Sequence, residues 1–437
     1  MPRAWGQSTL AVMNRRDAMK LMAAGAGAAA LPLPMRAQGS RTTAQENFLE
    51  VMTRGACEYF WEHASTTTGQ VRDRALASGA KETRKMASIA ATGFGLTALC
   101  IADSRKYWEH DAIASRVLAT LKYHCDNLPQ EHGFYFHFSD METGKRAGKC
   151  EVSSIDTSIL LCGVLTARAH FGGAGVVGAQ IADYATKIYD RVDFAWMLNG
   201  GETFSMGWKP ESGFLKARWN MYAEEMMLYL LAVGSKTHGV DAKCWDKFSR
   251  PLVEFGGFKY LSGAATLFTH QYSHAWFDFR RQRDAYADYF GNSILATRAH
   301  KAFCLAMKNW YSQDYWGISA SDWEGGYAGW GGPPAQGPID GSVVPNAAAG
   351  SLPFLPADCL HVLMAMKEKF GAKAWGKYGF VDAFHPVMDW YDRDVLGIDL
   401  GIGLLMAENL RTGFVWETFM KNAEMRGAMK RVGFKRY

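Results

Sequence analysis

In the stretch ARWNMYAEEMMLYLLAVG, residues 217–234, two adjacent carboxylates, Glu224 and Glu225, stand at the head of a run that is otherwise apolar on every side. A helix that is hydrophobic around its whole circumference belongs in a protein interior. The segment 153–164 has the same character, whereas 110–127 carries one polar face. The two kinds of helix predict an inner layer and an outer layer.

Helical periodicity recurs along the chain, while strand alternation is confined to short patches such as GFYFHF (133–138). About a dozen helices in two layers over ~400 residues predict an all-α (α/α)6 toroid, a six-hairpin barrel with long aromatic loops. The alternative, an α-solenoid, requires a fixed repeat that is missing here. The clearest predicted helices are 45–64, 88–104, 110–127, 153–171, 176–192, 221–234, 292–308, 356–370 and 402–421.

The first 37 residues have the pattern of an export signal. Arg15 and Arg16 precede the uncharged run 21–34, and the small residue Ala37 follows it. This order predicts a twin-arginine (Tat) signal peptide, with a single domain over 38–437. An uncleaved anchor or a chance arginine pair is the alternative, but the run is short and rich in Ala and Gly for a bilayer span. We therefore expect a periplasmic protein with no membrane contact after signal cleavage.

The net charge and the cysteine positions indicate which ligands, disulfides and metal sites to expect. The formal net charge is +5, and removing residues 1–37 leaves +1, which gives no support for nucleic acid or an anionic membrane as partner. Of the eight cysteines, Cys100, Cys162, Cys304 and Cys359 lie in apolar helical runs, where cysteine is a small buried hydrophobe. There is no CxxC pair and no zinc-like spacing. We expect mostly free thiols, a neutral ligand, and neither metal nor other cofactor.

The long loops favour a carbohydrate ligand. The motifs GxxxxGK[ST], GxSxG and HExxH do not occur. The loops 207–220, 270–284 and 319–334 are long and aromatic, which is typical of functional loops. Aromatic faces can stack on sugar rings, and paired carboxylates are the usual machinery of glycoside hydrolysis. With fifteen tryptophans, the composition favours an oligo- or polysaccharide substrate.

Several segments, in consistent order from about residue 45 to the C-terminus, resemble the bacterial glucoamylase-like family, which includes the β-1,2-glucanases of glycoside hydrolase family 144. They are SIAATGFGLTAL (88–99), DMETGKR (140–146), IDTSILLCGVLTAR (155–168), MGWKPESGFLKARW (206–219), HQYSHAWFDFR (270–280), AAAGSLPF (347–354), YGFVDAFHP (378–386) and GIDLGIGLLMAENLRTG (397–413).

The resemblance implies an (α/α)6 barrel that hydrolyses β-glucan, above all β-1,2-glucan, with carboxylates as acid and base and no metal in the catalytic step. Characterised members of the family invert the anomeric centre, and their acid is thought to act through a substrate hydroxyl. The related transglycosylase domain of cyclic β-1,2-glucan synthases retains the configuration. A retaining transglycosylase is therefore one alternative, and a non-catalytic glucan-binding protein is another.

The family's Tyr-x-Glu segment resembles residues 222–224, which implies that Glu224 is the general acid. Successive helical residues differ by about 100°, so Glu225 is expected to meet solvent or Arg218. A helix amino end lowers a carboxyl pKa, whereas burial and a neighbouring like charge raise it. We expect desolvation to dominate. The alternative is a pair of surface acids that complement the helix dipole.

Two further carboxylates are catalytic candidates. Asp399 lies in a glycine-flanked turn before a buried helix, and it matches the position of a proposed base in the family; helix capping is its alternative role. Asp156 stands where some relatives carry Glu, and with Ser153 it could instead form a capping box. Relatives of the β-1,2-glucanase type carry an additional Asp at the position of Ser153, and here Glu151 is nearby.

The remaining candidates for substrate binding are polar and aromatic residues of the loops. For any one of the aromatic residues, packing within the loop is the alternative. Tyr327 and Trp323 are additional stacking candidates. The candidates are Glu151, Trp219, Tyr222, Gln271, His274, Trp276, Arg280, Asp322, Trp330 and Asp382.

Overall fold

The computed structural model describes residues 41–173 and 175–437, so the predicted signal at 1–37 lies outside the described residues. Helices supply most of the regular structure, as the periodicity predicted. The fourteen α-helices of these ranges are α1 Thr43–Glu62, α2 Ile89–Ser104, α3 His110–Asp126, α4 Ser154–Phe171, α5 Val176–Asp190, α6 Phe194–Leu198, α7 Met226–Gly234, α8 Tyr272–Trp276, α9 Tyr289–Ala306, α10 Pro345–Ala349, α11 Pro356–Phe370, α12 Gly397–Arg411, α13 Phe414–Phe419 and α14 Ala423–Arg431. Short 3-10 helices occupy Ala242–Asp246, Leu267–His270 and Gly371–Lys373.

The strands are only two to four residues long and pair in small sheets. They are β1 Arg74–Leu76, β2 Met86–Ser88, β3 Gln130–Glu131, β4 Phe134–Tyr135, β5 Phe138–Asp140, β6 Val152–Ser153, β7 Gly207–Lys209, β8 Gly213–Phe214, β9 Leu252–Phe255, β10 Phe258–Leu261, β11 Gln282–Arg283, β12 Ser321–Trp323, β13 Gly326–Ala328, β14 Phe384–His385, β15 Trp390–Tyr391, β16 Asp394–Leu396 and β17 Lys435–Arg436. The pairings are β1–β16, β2–β5, β3–β4, β9–β10, β11–β17, β12–β13, β14–β15 and the three-stranded β6–β7–β8.

The helices divide into a buried set and a half-exposed set. Helices α2, α4, α7 and α12 are buried along almost their whole length, whereas α3, α5, α11 and α14 bury one face only. Buried apolar side chains from Phe48 to Phe434 form one continuous core. Within the two described ranges, no helix is both long enough and apolar enough to cross a bilayer. The structure therefore contains both kinds of helix predicted from the sequence, those buried on all sides and those with one exposed face.

Helices α2 and α4 approach each other through two glycines. A Cβ atom on Gly163 would lie 2.1 Å from the carbonyl oxygen of Gly93, and a Cβ atom on Gly93 would lie 2.4 Å from the carbonyl oxygen of Ile159. Glycine is therefore required at both positions for the two backbones to pack directly.

Three buried helices begin directly after a short strand, α2 after β2, α4 after β6 and α12 after β16. These strands are linked sideways, because β16 pairs with β1, and isolated bridges join Arg72 to Ala87 and Phe136 to Val152. The links bring the amino ends of the three helices to one side of the core.

Two predicted helices have the wrong bounds. The segment predicted as a helix over 221–234 becomes helical only at Met226, and the residues before it form a turn. The segment predicted as a helix over 402–421 contains two helices, α12 and α13, which separate at Gly413, whose φ is +75°. A left-handed residue ends a helix, and glycine adopts that conformation without strain.

Candidate active site

The predicted catalytic acids lie at the amino ends of the buried helices. Asp156 is in the first turn of α4, Asp399 is in the first turn of α12, and Glu224 and Glu225 directly precede α7. Free backbone N–H groups at these ends favour negative charge. The strand links described above therefore bring together the helix ends that carry Asp156 and Asp399.

Glu224 combines a helix amino end with deep burial. Its residue surface is 9% exposed, and burial raises the pKa of its carboxyl group to about 7 although a backbone hydrogen bond opposes the shift. The nearby Asp156 carboxylate adds to the rise. Desolvation dominates, as expected, and the alternative of two surface acids is wrong. A carboxyl group with this pKa can hold a proton near neutral pH.

Glu225 does not reach solvent or Arg218, contrary to the prediction. It is fully buried, and its Oε2 accepts a hydrogen bond of 2.7 Å from the backbone N–H of Ala223. Arg218 instead donates to Thr203 Oγ1 and the Leu198 carbonyl oxygen. The prediction assumed that the helix already included both acids. Burial raises the pKa of Glu225 to about 8.

Asp399 is held by an amide and by another carboxyl group. Its Oδ1 accepts a hydrogen bond of 2.5 Å from Asn346 Nδ2, and the carboxyl of Asp382 lies within hydrogen-bonding distance. Burial raises the pKa of Asp399 to about 6, against the lowering effect of that second contact. The capping alternative is wrong, because Leu396 occupies the N-cap position and Asp399 lies inside the first turn.

Asp156 both supports its helix end and faces a histidine. Ser153 is the N-cap of α4, and its hydroxyl contacts Asp156 Oδ2 at 2.5 Å. His137 lies between two acids, with Nδ1 at 3.1 Å from Glu151 Oε1 and Nε2 at 3.6 Å from Asp156 Oδ2. Burial lowers the pKa of His137, but the two acids outweigh it and raise the value to about 9. The hydrogen bond from His137 lowers the pKa of Glu151 to about 2.

The charges of the three predicted catalytic acids all act on one buried side chain, that of Tyr272. Burial raises the pKa of its phenol well above the usual value, and the charges of Asp399, Glu224 and Asp156 act in the same direction. All three acids therefore lie within electrostatic range of one phenol. The sequence analysis missed Tyr272 and His137. The only available signals were that Tyr272 follows Gln271 in a family-like segment and that His137 ends the GFYFHF patch.

A second group of charged residues borders Asp399. Asp322 accepts from Arg74 Nη1 at 2.5 Å, and its own backbone N–H donates to Asp382 Oδ2 at 2.7 Å. Tyr327 stands opposite Asp322 in the β12–β13 hairpin, is 53% exposed and lies within electrostatic range of Asp399 and Asp382. It therefore offers an accessible aromatic side chain beside the acids.

Three acids of this group come close enough to contact one cation. Ligand atoms of Asp322, Asp392 and Asp394 lie within 4.8 Å of one another. However, Arg84 holds Asp394 through two hydrogen bonds of 2.6 and 2.7 Å, and Arg74 holds Asp322. The two guanidinium groups already supply the positive charge that a cation would bring. We assign this cluster as an ion-pair network.

Six predicted substrate ligands are instead buried in protein contacts. Gln271, Tyr222, Trp276 and Trp330 are fully buried, while Trp219 and His274 are almost so. Their polar atoms bind other protein groups, as where Gln271 donates to Ser351 Oγ at 2.8 Å and Trp276 to Thr97 Oγ1 at 3.0 Å. Burial also lowers the pKa of His274 to about 3. The stacking and hydroxyl-binding roles predicted for five of these side chains are wrong, because those residues are at most 1% exposed, whereas Trp219, which is 8% exposed, stays a predicted substrate contact. The remaining contacts are Trp219 to Ser154, Tyr222 to His270 and Asn292, His274 to Ser293, and Trp330 to Ser321.

Arg280 lies at the wrong end of α12 for its predicted role. Its guanidinium pairs with Asp278 at 2.8 Å, lies 4.0 Å from the ring centre of Trp416, and is near Gly413, beyond the carboxyl end of the helix. Asp399 is at the amino end of the same helix, which is roughly 20 Å long at 1.5 Å per residue. Arg280 therefore does not share a site with Asp399.

Known proteins similar to this chain include glucoamylase-like proteins and β-1,2-glucanases. Residues 216–423 match a family model described as "Putative glucoamylase". The resemblance to the glucoamylase-like family is confirmed. The endo-β-1,2-glucanase of Chitinophaga pinensis, solved with sophorotriose and glucose, is similar over 90% of this chain and 99% of its own, with 25% identity and a TM-score of 0.84. A glucoamylase-like structure from Bacteroides fragilis is similar over 92% of this chain and 99% of its own, with 26% identity and a TM-score of 0.84.

A curated relative is longer than this chain. The exo β-1,2-glucooligosaccharide sophorohydrolase (non-reducing end) of Parabacteroides distasonis is 23% identical over 431 residues. The match covers 89% of this chain but only 58% of that protein.

Proposed function

We propose that this protein is a glycoside hydrolase that cleaves β-glucan, with β-1,2-glucan as the expected substrate. The observation that carries the proposal is the placement of Glu224, Asp156 and Asp399 at the amino ends of buried helices, where their charges all act on Tyr272. The exposed Tyr327 lies within electrostatic range of Asp399. The similar proteins named for β-1,2-glucan hydrolysis support the linkage. We assign substrate contacts to Glu151, Asp322 and Tyr327, which border this cluster.

The pKa values support different roles for two of the acids. Glu224, with a pKa of about 7, keeps a substantial protonated fraction near neutral pH and donates a proton to the departing glycosidic oxygen, directly or through a substrate hydroxyl. Asp399, with a pKa of about 6, is mostly ionised there and takes a proton from water as the water attacks the anomeric carbon. Asp156 lies near Glu224, and its charge helps to keep Glu224 protonated.

We propose that hydrolysis inverts the anomeric centre. Inversion requires room for a water molecule between the sugar and the base, and carboxyl groups about 6.5–9.5 Å apart provide it. A retaining transglycosylase would require a nucleophile at about 5 Å. NMR of the first anomer released by the enzyme separates the two, because only inversion gives the α-anomer from a β-linked glucan.

We further propose that the two helical layers close as an (α/α)6 toroid within one domain over 38–437. The buried and half-exposed helix sets and the continuous core support this architecture. The Tat-like pattern at 1–37 leads us to propose export to the periplasm. Fractionation of cells that express the full chain, with and without Arg15→Lys and Arg16→Lys together, tests that location.

A glucan panel tests the activity. The protein comprising residues 38–437 is incubated with β-1,2-, β-1,3-, β-1,4- and α-linked glucans, and the products are identified by chromatography. We expect sophoro-oligosaccharides or sophorose from the β-1,2-glucan alone. Cleavage of another linkage would overturn the substrate assignment. Binding of glucan without turnover of any member of the panel would favour the non-catalytic alternative.

A further inference from the structure

Two buried carboxyl groups of this site, those of Asp382 and Asp399, each have one oxygen that meets an N–H donor and one that meets none within the described ranges. Asp382 Oδ2 accepts from the backbone N–H of Asp322, and Asp399 Oδ1 accepts from Asn346 Nδ2. The other oxygens, Asp382 Oδ1 and Asp399 Oδ2, are buried and meet no N–H or O–H donor within the described ranges. The two carboxyl groups nevertheless lie within hydrogen-bonding distance of each other. Two carboxylate ions cannot form a hydrogen bond, so such a contact requires one shared proton.

We propose that Asp382 is a positioning residue, which retains this proton and donates a hydrogen bond to Asp399. The inference rests on the proposed role of Asp399 as the catalytic base. Asp382 would then hold the Asp399 carboxylate in a fixed orientation and stabilise its charged form. The proton of Asp382 is not consumed, because the proton released by the attacking water goes to Asp399.

Burial explains why the proton stays on Asp382. Asp382 is 3% exposed and Asp399 is 8% exposed. Burial raises the pKa of Asp382 well above its usual range, and the charges of Asp399 and Asp322 act in the same direction. The hydrogen bond from Asp382 in turn lowers the pKa of Asp399, which burial alone would raise further. The other charged or titratable groups facing the pair are Asp73, Asp392, Arg74, Tyr272 and Tyr327.

This assignment replaces the substrate-binding role predicted for Asp382 from the sequence. Its Oδ2 accepts from the backbone N–H of Asp322, its carboxyl group lies within hydrogen-bonding distance of Asp399, and almost none of its surface is accessible. An ionised Asp382 would place two like charges in contact within a buried site. A neutral acid at this position avoids that repulsion.

Two substitutions test the donor. Asp382→Asn keeps an acceptor for the Asp322 N–H and an N–H donor for Asp399, so we expect kcat within about tenfold of wild type. Asp382→Leu removes the donor, and we expect a loss of about 10²-fold in kcat as Asp399 loses its orientation. The acidic limb of the pH–rate profile should move to higher pH in the Leu variant only. If Asp382→Asn loses as much activity as Asp399→Asn, Asp382 works as an ion and the proposal is wrong.

A stability measurement tests the proton without any substrate. Above pH 4 the unfolded chain releases the Asp382 proton while the folded chain keeps it, so wild type loses stability as pH rises. Asp382→Asn lacks this loss of stability. We therefore expect the Tm of the variant minus the Tm of wild type to increase by about 2–4 °C between pH 5 and pH 8. A constant difference across that range would overturn the shared proton. This measurement remains decisive even if the protein hydrolyses no glucan.

Asp284→Asn is the matched control. Asp284 is also buried, but its carboxylate accepts from Trp245 Nε1 at 2.8 Å, Tyr289 O–H at 3.0 Å and the backbone N–H of Ala287 at 2.8 Å. It contacts N–H and O–H donors instead of a second carboxyl group. We expect Asp284→Asn to have a lower Tm than wild type, and we expect the difference between the two Tm values to stay the same as pH rises. A gain equal to that of Asp382→Asn would assign the effect to the loss of any buried carboxyl group.

Discussion

Glu224 is subject to two opposing physical effects. The amino end of α7 and a backbone hydrogen bond favour its charged form, while burial and the charge of Asp156 favour the protonated form. The second pair prevails, and the pKa rises to about 7. A helix end contributes about 0.3–1 kcal/mol at exposed positions, which is small beside the cost of removing a carboxylate from water.

Glu224→Gln tests the general acid. Because the amide cannot donate a proton to the leaving oxygen, we expect kcat to fall by about 10²–10⁴-fold with little change in KM. Wild-type activity should decline as pH rises through about 7, since only the protonated acid is competent. Steady-state kinetics on β-1,2-glucan between pH 5 and 9 measures both effects.

Glu225→Gln is the matched control for Glu224. Glu225 is adjacent, equally long and fully buried, and its Oε2 accepts from the Ala223 N–H, a role that an amide oxygen can keep. Its pKa of about 8 means that a neutral side chain already predominates at pH 6.5. We expect activity close to wild type at that pH. An equal loss in the two variants would argue for a shared structural effect and against Glu224 as the acid.

His137→Gln tests the charge cluster beside Asp156. The folded-state pKa of His137, about 9, lies above the unfolded value near 6.5, so its contribution to stability is complete below pH 6.5 and is lost as pH rises through 9. We expect the variant to lose on the order of 1–3 kcal/mol of unfolding free energy at pH 6, with the difference vanishing toward pH 10. Urea unfolding across that range provides the measurement.

The control for His137 is His361→Gln. His361 pairs with Asp314 at 3.0 Å, but both side chains are more than half exposed. An exposed pair of this kind contributes less than about 1 kcal/mol, and salt screens it further. A pH-independent difference for His137→Gln would contradict the raised pKa.

The sequence was most informative where a residue type and a motif coincided. Glu224, Asp156 and Asp399 could be proposed from their position before apolar helices together with family-like segments. Tyr272 and His137 could not be singled out, because their importance comes from side-chain direction and from partners distant in sequence. The same reason explains why Gln271 and Trp276, which look exposed in a loop, turn out to be structural.

Helices α2 and α4 show how a single atom can control the packing of two elements. The backbone contact at Gly93 and Gly163 leaves no space for a methyl group, since its nearest neighbour would be a carbonyl oxygen at 2.1 Å. A backbone oxygen cannot rotate away as a side chain would. The whole helix has to move to accommodate any added atom.

Gly163→Ala should therefore be strongly destabilising. Overpacking of this kind costs about 3 kcal/mol, although alanine is the better helix former. Gly427→Ala is the matched control, because Gly427 lies in α14 and its added Cβ would approach only the flexible Arg431 side chain, at 3.2 Å. We expect that variant to gain about 0.5–1 kcal/mol. Guanidinium unfolding of both variants measures the contrast, and equal effects would contradict direct backbone packing.

The errors at the element scale concern helix ends. Residues 221–225 continue the apolar pattern of α7, yet they form a turn in which Glu225 bonds the Ala223 N–H. Periodicity carries no signal for such a side chain-to-backbone contact. The break at Gly413 was readable in principle, because glycine commonly ends helices, but the apolar pattern continues across it.

The eight cysteines are distributed over the whole molecule, and most of them are buried in its core. All eight are free thiols; Cys125 and Cys150 are partly exposed and the other six are buried. Burial raises the pKa of each of those six thiols, which keeps them protonated and unreactive. The low dielectric interior therefore protects them without disulfide bonds.

Thiol titration with Ellman's reagent tests this arrangement. We expect no more than the two partly exposed thiols to react rapidly in the native protein, and all eight after unfolding in guanidinium. Dithiothreitol should leave the Tm unchanged. Fewer than eight reactive thiols in the unfolded, unreduced protein, or a lower Tm after reduction, would reveal a disulfide.

The pairing of β1 with β16 joins Arg74 to Leu396, and the helix that bears Asp399 begins at the next residue. A ribosome must therefore synthesise almost the entire polypeptide before the proposed base can meet the other acids. Chain closure over such a distance is slow compared with local helix formation. A nascent or proteolytically shortened chain that ends before β16 would consequently be inert toward glucan, however well its earlier helices had formed.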